Sequence, residues 1–259
     1  MQRVPRSVAV CLAAFIAWTA PAAARAADLE VLSAGAVQEV IRGLAADFAA
    51  ASGHTVTLDF APVGTLQSRL AAGEKADVII LSVSALDTLG KAGGLVDGSR
   101  AVLGRTGIGV AVRAGAARPD ISNAAALRQA LLKASSIVYA DPAKGASSGI
   151  YVAQMLERLG IARAVAAKTT LRPGGYVVEV VAAGGAELGL HNISEILPVK
   201  GVDLVGPLPP GLQHTTTYAA AVAAGSPRAA AAKGFIAALN SPSTAGRWRA
   251  AGFEPGETK

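Results

Sequence analysis

The feature that most constrains the fold is an alternation of short apolar runs with helical periodicities along most of the chain. The run at 76–81 is almost continuously apolar, which is typical of a central parallel strand covered by helices on both faces. Earlier in the chain, Val37, Ile41 and Leu44 recur at the spacing of one helix face. Strands that alternate with helices in this way predict an α/β fold with mostly parallel sheets flanked by helices.

The first residues have the pattern of a secretion signal. A positively charged start precedes an apolar run at 8–19, which is shorter than the roughly 20 residues needed to span a bilayer. Ala24 and Ala26 provide the small residues that signal cleavage requires. We therefore predict that residues 1–26 are a signal peptide, cut between Ala26 and Ala27, and that the mature protein is periplasmic.

Composition excludes several classes of function. Apolar residues make up 52% of the chain, enough for a real core. The single cysteine, Cys11, lies in the predicted signal, so the mature chain has neither a disulfide nor a catalytic thiol. Loss of Arg3, Arg6 and Arg25 leaves 21 basic against 18 acidic residues, a net charge of +3. These charges are dispersed and without interleaved aromatic residues, which argues against nucleic-acid binding.

No cluster of His, Asp and Glu has metal-ligand spacing, and no glycine-rich stretch has the pattern of a phosphate-binding loop. We therefore expect no metal and no cofactor, and we expect a monomer. Instead, four loops at 33–36, 61–65, 141–151 and 172–176 each connect a predicted strand to the segment after it. Ligands of open α/β sheets bind beyond the carboxyl ends of the strands, so these loops predict the binding site.

Six short segments in a fixed order carry a resemblance to a known family. They are the opening strand into Ser33-Ala34-Gly35-Ala36, Phe60-Ala61 before Thr65-Leu66, Ala72-Gly73 before Ala76-Asp77-Val78, Asp141-Pro142, Ser148-Gly149-Ile150-Tyr151, and Leu188-Gly189 before His191. Together they resemble the periplasmic molybdate-binding-protein family of type II solute receptors, from about Leu29 to Phe253. The resemblance implies two lobes, each a mostly parallel sheet flanked by helices, with the ligand in the cleft between them. It further implies a first lobe at 27–103 and 216–259 and a second lobe at 104–215.

The chain departs from the family pattern at three positions. Members that hold molybdate place two hydroxyls and a tyrosine where this chain has Ala36, Val63 and Asn192. Each missing donor should cost about 1–3 kcal/mol of binding free energy. Charged donors on the predicted loops and the helix after one of them, such as Lys144 and Arg69, suit carboxylates instead. We therefore expect a small organic carboxylate rather than molybdate.

The candidate ligand-binding residues come from the four loops, the helix after one of them, and a later strand end. They are Ser33, Ala36, Gly64, Thr65, Arg69, Lys144, Ser147, Ser148, Tyr151, Gly174, Tyr176, His191 and Asn192, with Arg172 beside them.

Two functions remain open at this point. The first, favoured because most members of the fold bind and release without chemistry, is a receptor that delivers a small anion to an inner-membrane ABC permease. The second is an isomerase, because the family also includes a periplasmic aconitate isomerase. That reaction moves a proton along an allylic tricarboxylate, and His191 is then the expected base, with Tyr151 or Tyr176 as the proton donor.

Overall fold

The computed structural model describes residues 26–255. The strands of this part of the chain are β1 (Asp28–Ala34), β2 (Thr55–Ala61), β3 (Val78–Ser82), β4 (Ala101–Arg113), β5 (Ile137–Ala140), β6 (Thr169–Arg172), β7 (Leu188–Asn192), β8 (Val202–Pro207) and β9 (Thr215–Val222). Its helices are α1 (Gln38–Ser52), α2 (Val63–Ala71), α3 (Val83–Lys91), α4 (Ala124–Lys133), α5 (Ser147–Arg158), α6 (Ala162–Ala166), α7 (Glu179–Ala182), α8 (Ile193–Ile196), α9 (Ala229–Leu239) and α10 (Ala245–Ala250).

The strands follow the order β2-β1-β3-β9-β4-β7-β5-β6, and β8 also pairs with β4. Pairing is parallel among β1, β2 and β3 and among β5, β6 and β7. It is antiparallel wherever β4, β8 or β9 takes part. The predicted α/β fold with helix-flanked, mostly parallel sheets is confirmed, and the antiparallel strands are an addition that the apolar runs alone do not reveal.

Strand β4 connects the two lobes. Its first half, Ala101 to Gly107, pairs with β9, whereas Ile108 to Arg113 pairs with β7 and β8. The buried apolar side chains form one cluster around β1, β3 and β9, and two further clusters around β4, β5 and β7. Each lobe therefore has its own core, while the lobe limits inferred from the resemblance stay a prediction.

The burial of individual strands explains the layering. All five residues of β3 are buried, as expected for a strand covered by helices on both faces. Strand β2, at the edge of the first lobe, alternates between exposed and half-buried residues. Helix α5 begins at Ser147, inside the loop predicted at 141–151, so Ser147 and Ser148 belong to its first turn.

The predicted signal peptide lies almost entirely outside the described residues. Within 26–255, no helix has the length and apolar character needed to cross a membrane.

Candidate ligand-binding site

A pocket of about 250 Å³ lies between the lobes, where β1, β2, β5 and β7 end. One wall comes from the first lobe and one from the second, and Tyr218 of the returning strand β9 also lines the pocket. The lining residues are Ala34, Gly35, Ala36, Gln38, Phe60, Ala61, Pro62, Val63, Ala140, Ala146, Ser147, Ser148, Pro173, Gly174, Gly175, His191, Asn192, Glu195 and Tyr218.

Three helical segments begin at this pocket: the 3-10 turn Gly35–Val37 that leads into α1, helix α2 and helix α5. The residues that precede them, Ala34, Pro62 and Ala146, provide no side-chain cap. The first N–H groups of a helix have no partner within the helix, and the helix dipole makes this end partially positive. The pocket therefore has the backbone arrangement of an anion site.

The two lobes contact each other directly beside the pocket. The Gly64 N–H donates to the Gly145 carbonyl at 3.0 Å, and the Thr65 hydroxyl donates to the Lys144 carbonyl at 3.0 Å. Gly64 and Gly145 are so close that a Cβ built on Gly64 would lie 2.8 Å from the Cα of Gly145. The structure is therefore that of a closed cleft.

His191 and Glu195 form a buried pair on the wall of the pocket, with only 2% and 4% of their surfaces exposed. The Nε2 atom of His191 lies 3.3 Å from Glu195 Oε1 and 3.0 Å from the Gly175 carbonyl. A carbonyl only accepts, so Nε2 carries a proton. Nδ1 lies 3.1 Å from the Ser148 hydroxyl. Both ring nitrogens of His191 are thus engaged by protein groups.

The environment of His191 favours the imidazolium. Burial alone lowers the pKa of His191, but the charge of Glu195 and the hydrogen bonds to Glu195 and Gly175 act in the opposite direction, and the net result is a raised pKa. The second carboxylate oxygen of Glu195 accepts from Asn192 Nδ2 at 2.7 Å. Both oxygens of Glu195 therefore face donors, Asn192 on one side and His191 on the other.

Tyr218 is fully buried, and its hydroxyl lies 3.4 Å from that of Ser147. Burial raises the pKa of Tyr218 well above its ordinary value, and the nearby charge of Glu195 acts in the same direction. The phenol therefore stays protonated and able to donate.

Six of the residues predicted from sequence line the pocket, namely Ala36, Ser147, Ser148, Gly174, His191 and Asn192. The structure does not bring the other seven into the lining, namely Ser33, Gly64, Thr65, Arg69, Lys144, Tyr151 and Tyr176. The contact between the lobes instead involves Gly64, Thr65 and Lys144. The hydroxyl of buried Ser33 donates to the carbonyl of Ala34.

The predicted charged donors lie away from the pocket. Arg69 bonds to Asp59 and to Glu74, so helix α2 directs its guanidinium toward acidic residues of its own lobe. Lys144 and Arg172 are exposed. In the described part of the chain, no lysine or arginine lines the pocket.

The two predicted proton donors also have other partners. The Tyr151 hydroxyl donates to the Leu212 carbonyl at 2.7 Å, and the ring stacks on His214. The Tyr176 hydroxyl donates to Glu39 at 3.1 Å, and burial raises its pKa to about 12.

Sequence reasoning missed Gln38, Phe60, Glu195 and Tyr218, which all line the pocket. The one available signal was that Glu195 lies only three residues after the strand end predicted at His191 and Asn192. Over residues 26–255, no group of three or more His, Cys, Asp and Glu side chains is placed to hold a metal ion.

The chain matches the family model for bacterial extracellular solute-binding proteins over residues 29–254. It is 36% identical to an aconitate isomerase from a Pseudomonas species, over 259 residues that cover 97% of each chain. It is 31% identical to the molybdate-binding protein ModA of Azotobacter vinelandii over 180 residues, which cover 67% of this chain and 68% of the relative.

Among solved structures, the periplasmic molybdate-binding protein of Azotobacter vinelandii has a TM-score of 0.74 at 20% identity, covering 88% of this chain and 100% of that one. The predicted resemblance to molybdate-binding-protein-like solute receptors is confirmed. The chain belongs to the family of bacterial extracellular solute-binding proteins.

Proposed function

We propose that the protein is a periplasmic isomerase that interconverts cis- and trans-aconitate in the pocket between its lobes. One observation carries this proposal: the buried His191–Glu195 pair forms a proton-carrying group on the wall of a pocket whose other polar groups are neutral. Clefts with titratable pairs of this kind are candidates for acid–base chemistry. The Pseudomonas relative that matches this chain along its length bears the name aconitate isomerase, which supports the same reaction.

The reaction requires one proton to leave carbon and one to return. Aconitate has a methylene group next to its carbon–carbon double bond. A base takes a methylene proton, the electron pair of that C–H bond forms a new double bond, and the former vinyl carbon receives a proton. Product and substrate have the same atoms and charge, so no oxidant or reductant takes part.

Glu195 is the base in this proposal. A charged His191 carries a proton on each ring nitrogen and has no lone pair left to accept another. Each Glu195 oxygen faces one donor and keeps further accepting capacity, and Glu195 lines the pocket. The protonated carboxyl group then returns the proton to the other end of the allylic system. His191 acts as the neighbouring cation that pairs with the Glu195 carboxylate before substrate reacts.

The remaining lining groups hold the substrate. Unpartnered N–H groups at the start of α5, together with the Ser147 and Ser148 hydroxyls, suit a carboxylate. The Tyr218 phenol offers a further donor in the lining. Phe60 and Val63 form an apolar wall that suits the carbon skeleton.

The experiment is an isomerisation assay on purified mature protein with cis-aconitate, in which the appearance of trans-aconitate is followed by chromatography. Replacing Glu195 with glutamine should lower turnover by about 10²–10⁴-fold, the usual contribution of a positioned acid–base group. Glu179→Gln is the matched control, because Glu179 is exposed on the short helix α7 and does not line the pocket. A folded wild-type protein that binds aconitate without converting it would reject the proposal.

A receptor for an ABC permease is the second candidate, supported by the similarity to ModA and by the fold shared with the molybdate-binding protein. In that case the protein closes on a small anion and delivers it to an inner-membrane partner without chemistry. Binding without turnover is the result that favours this function. Both candidates place the mature protein in the periplasm, after cleavage between Ala26 and Ala27.

A further inference from the structure

We infer that Glu195 determines which anions the pocket accepts: its buried carboxylate rejects compact oxyanions such as sulfate and molybdate and admits a polycarboxylate that turns a carbon face toward it. The rejection of oxyanions follows from the geometry of the pocket alone. The acceptance of a polycarboxylate rests on the proposed function.

The negative charge of Glu195 is held in place on three sides. Asn192 donates to Oε2 at 2.7 Å, and the protonated Nε2 of His191 lies 3.3 Å from Oε1. On the first-lobe side, a Cβ built on Gly35 would lie 3.2 Å from Oε1, so that oxygen packs directly against the backbone there. The carboxylate therefore has no room to turn away when an anion enters.

The pocket has no spare positive charge to offset that carboxylate. His191 is the only cationic side chain among the described lining residues, and Glu195 already neutralises it. The other polar side chains of the lining, those of Gln38, Ser147, Ser148, Asn192 and Tyr218, are uncharged. An anion beside Glu195 therefore meets like charge at a buried carboxylate, where such repulsion is poorly screened.

The shape of the ligand decides whether this repulsion can be avoided. A tetrahedral oxyanion presents oxygen atoms in every direction, so one of them always faces the Glu195 carboxylate. A polycarboxylate has its charges at the ends of a carbon chain, and the helix N-termini can hold those ends. A methylene group can then face Glu195 without bringing a lone pair to it.

The position of Val63 also favours a polycarboxylate over a compact oxyanion. Val63 lies at the start of α2 and contributes an apolar surface to the lining together with Phe60 and Pro62. An apolar wall opposite charged oxygen atoms desolvates them without replacing their hydrogen bonds. The same wall favours the carbon skeleton of an organic acid.

The test is titration calorimetry with sulfate and with molybdate on wild type, Glu195→Gln and the control Glu179→Gln. Glutamine keeps the size of the side chain and removes its charge. We expect weak or undetectable oxyanion binding by wild type and control, and an affinity at least about 10-fold higher for Glu195→Gln. Glu195→Ala also removes the charge and serves as a second variant in which the same rise in oxyanion affinity is measured. Thermal melting verifies that each variant is folded.

Equal oxyanion affinity in wild type and in both folded variants would overturn the inference. The isomerisation assay is scored separately, so the two proposals can fail independently. If Glu195→Gln gains oxyanion binding and wild type shows no turnover, the inference about selectivity is supported and the isomerase proposal is rejected. If wild type shows turnover and neither variant gains oxyanion affinity, the inference about selectivity is rejected and the isomerase proposal is supported.

Discussion

His191 depends on its surroundings for its charge, because it lies in a buried site where an unpaired imidazolium would be costly. The compensation comes from Glu195 and from the Gly175 carbonyl. Removing one member of a buried ion pair usually costs about 3–5 kcal/mol, since the other charge is left uncompensated. Single substitutions at this pair should therefore be compared at several pH values rather than at one.

The raised pKa of His191 predicts a pH-dependent stability. Its folded pKa lies above the unfolded value of about 6.5, so the stabilisation is complete below that pH and is lost as the pH rises through the folded pKa. We expect the unfolding free energy of wild type, relative to His191→Gln, to fall as the pH increases above about 6.5. Urea unfolding of both proteins across this range measures the difference, and a constant difference would contradict the prediction.

Individual residues show where sequence reasoning reached its limit. His191 and Asn192 were predicted at the end of a strand, and β7 does end at Asn192. Arg69 was predicted to face the ligand, but Asp59 and Glu74 are nearer partners that the sequence does not rank against an unknown anion. Glu195 was missed because recognising it required knowing that a helix turn follows β7 immediately.

Strand β4 is the element that carries the change from one lobe to the other. At Gly107 it still pairs with β9, and at Ile108 it pairs with β7. The side chain of Gln213 bridges this junction: Oε1 accepts from the Ile108 N–H and Nε2 donates to the Ile108 carbonyl, both at 2.9 Å. A side-chain amide thus satisfies backbone groups at the point where the strand changes partners.

The role of Gln213 predicts the effect of its removal. Gln213→Ala should lower the unfolding free energy by about 1–3 kcal/mol, because the buried N–H of Ile108 loses this acceptor. Gln154→Ala, on the exposed side of α5, is the matched control. Chemical denaturation measures both variants, and equal stability would show that the bridge contributes little.

The sequence predicts which segments are helices or strands, but not whether a strand runs parallel or antiparallel to its neighbours. The continuous apolar run of β3 and the helical periodicity of α1 were both recognised. The antiparallel direction of β9 was not, since an apolar strand has the same composition whichever way it runs. The short strands β6 and β8 were missed because their mostly exposed or half-buried residues give little apolar signal.

At the scale of the whole molecule, the two lobes close through backbone contact rather than through large side chains. Gly64, in helix α2, and Gly145, in the loop before α5, approach each other across the cleft. Side chains at either position would hold the lobes apart. Ligand binding by closure therefore depends on the absence of side chains at these two glycines.

Gly64→Ala tests this dependence. Gly64 has helical geometry that alanine accepts, so the first lobe should not lose stability. The new methyl group would meet Gly145 of the other lobe, and we expect aconitate affinity to fall at least about 10-fold. Gly43→Ala is the control, because its nearest neighbour, Arg247, would lie 3.7 Å away. Calorimetry compares the affinities, and an unchanged affinity for Gly64→Ala would show that closure does not require this contact.

The most direct test of the proposed chemistry is proton NMR of cis-aconitate incubated with purified mature protein in deuterated water. If Glu195 takes a proton from the methylene carbon and returns one to the other end, the spectrum should show trans-aconitate accumulating. Deuterium should appear at carbon wherever exchange with solvent competes with proton return, and Glu195→Gln should slow both changes by about 10²–10⁴-fold. Tight binding of cis-aconitate by wild type, with neither conversion nor deuterium at carbon, would contradict the isomerase account.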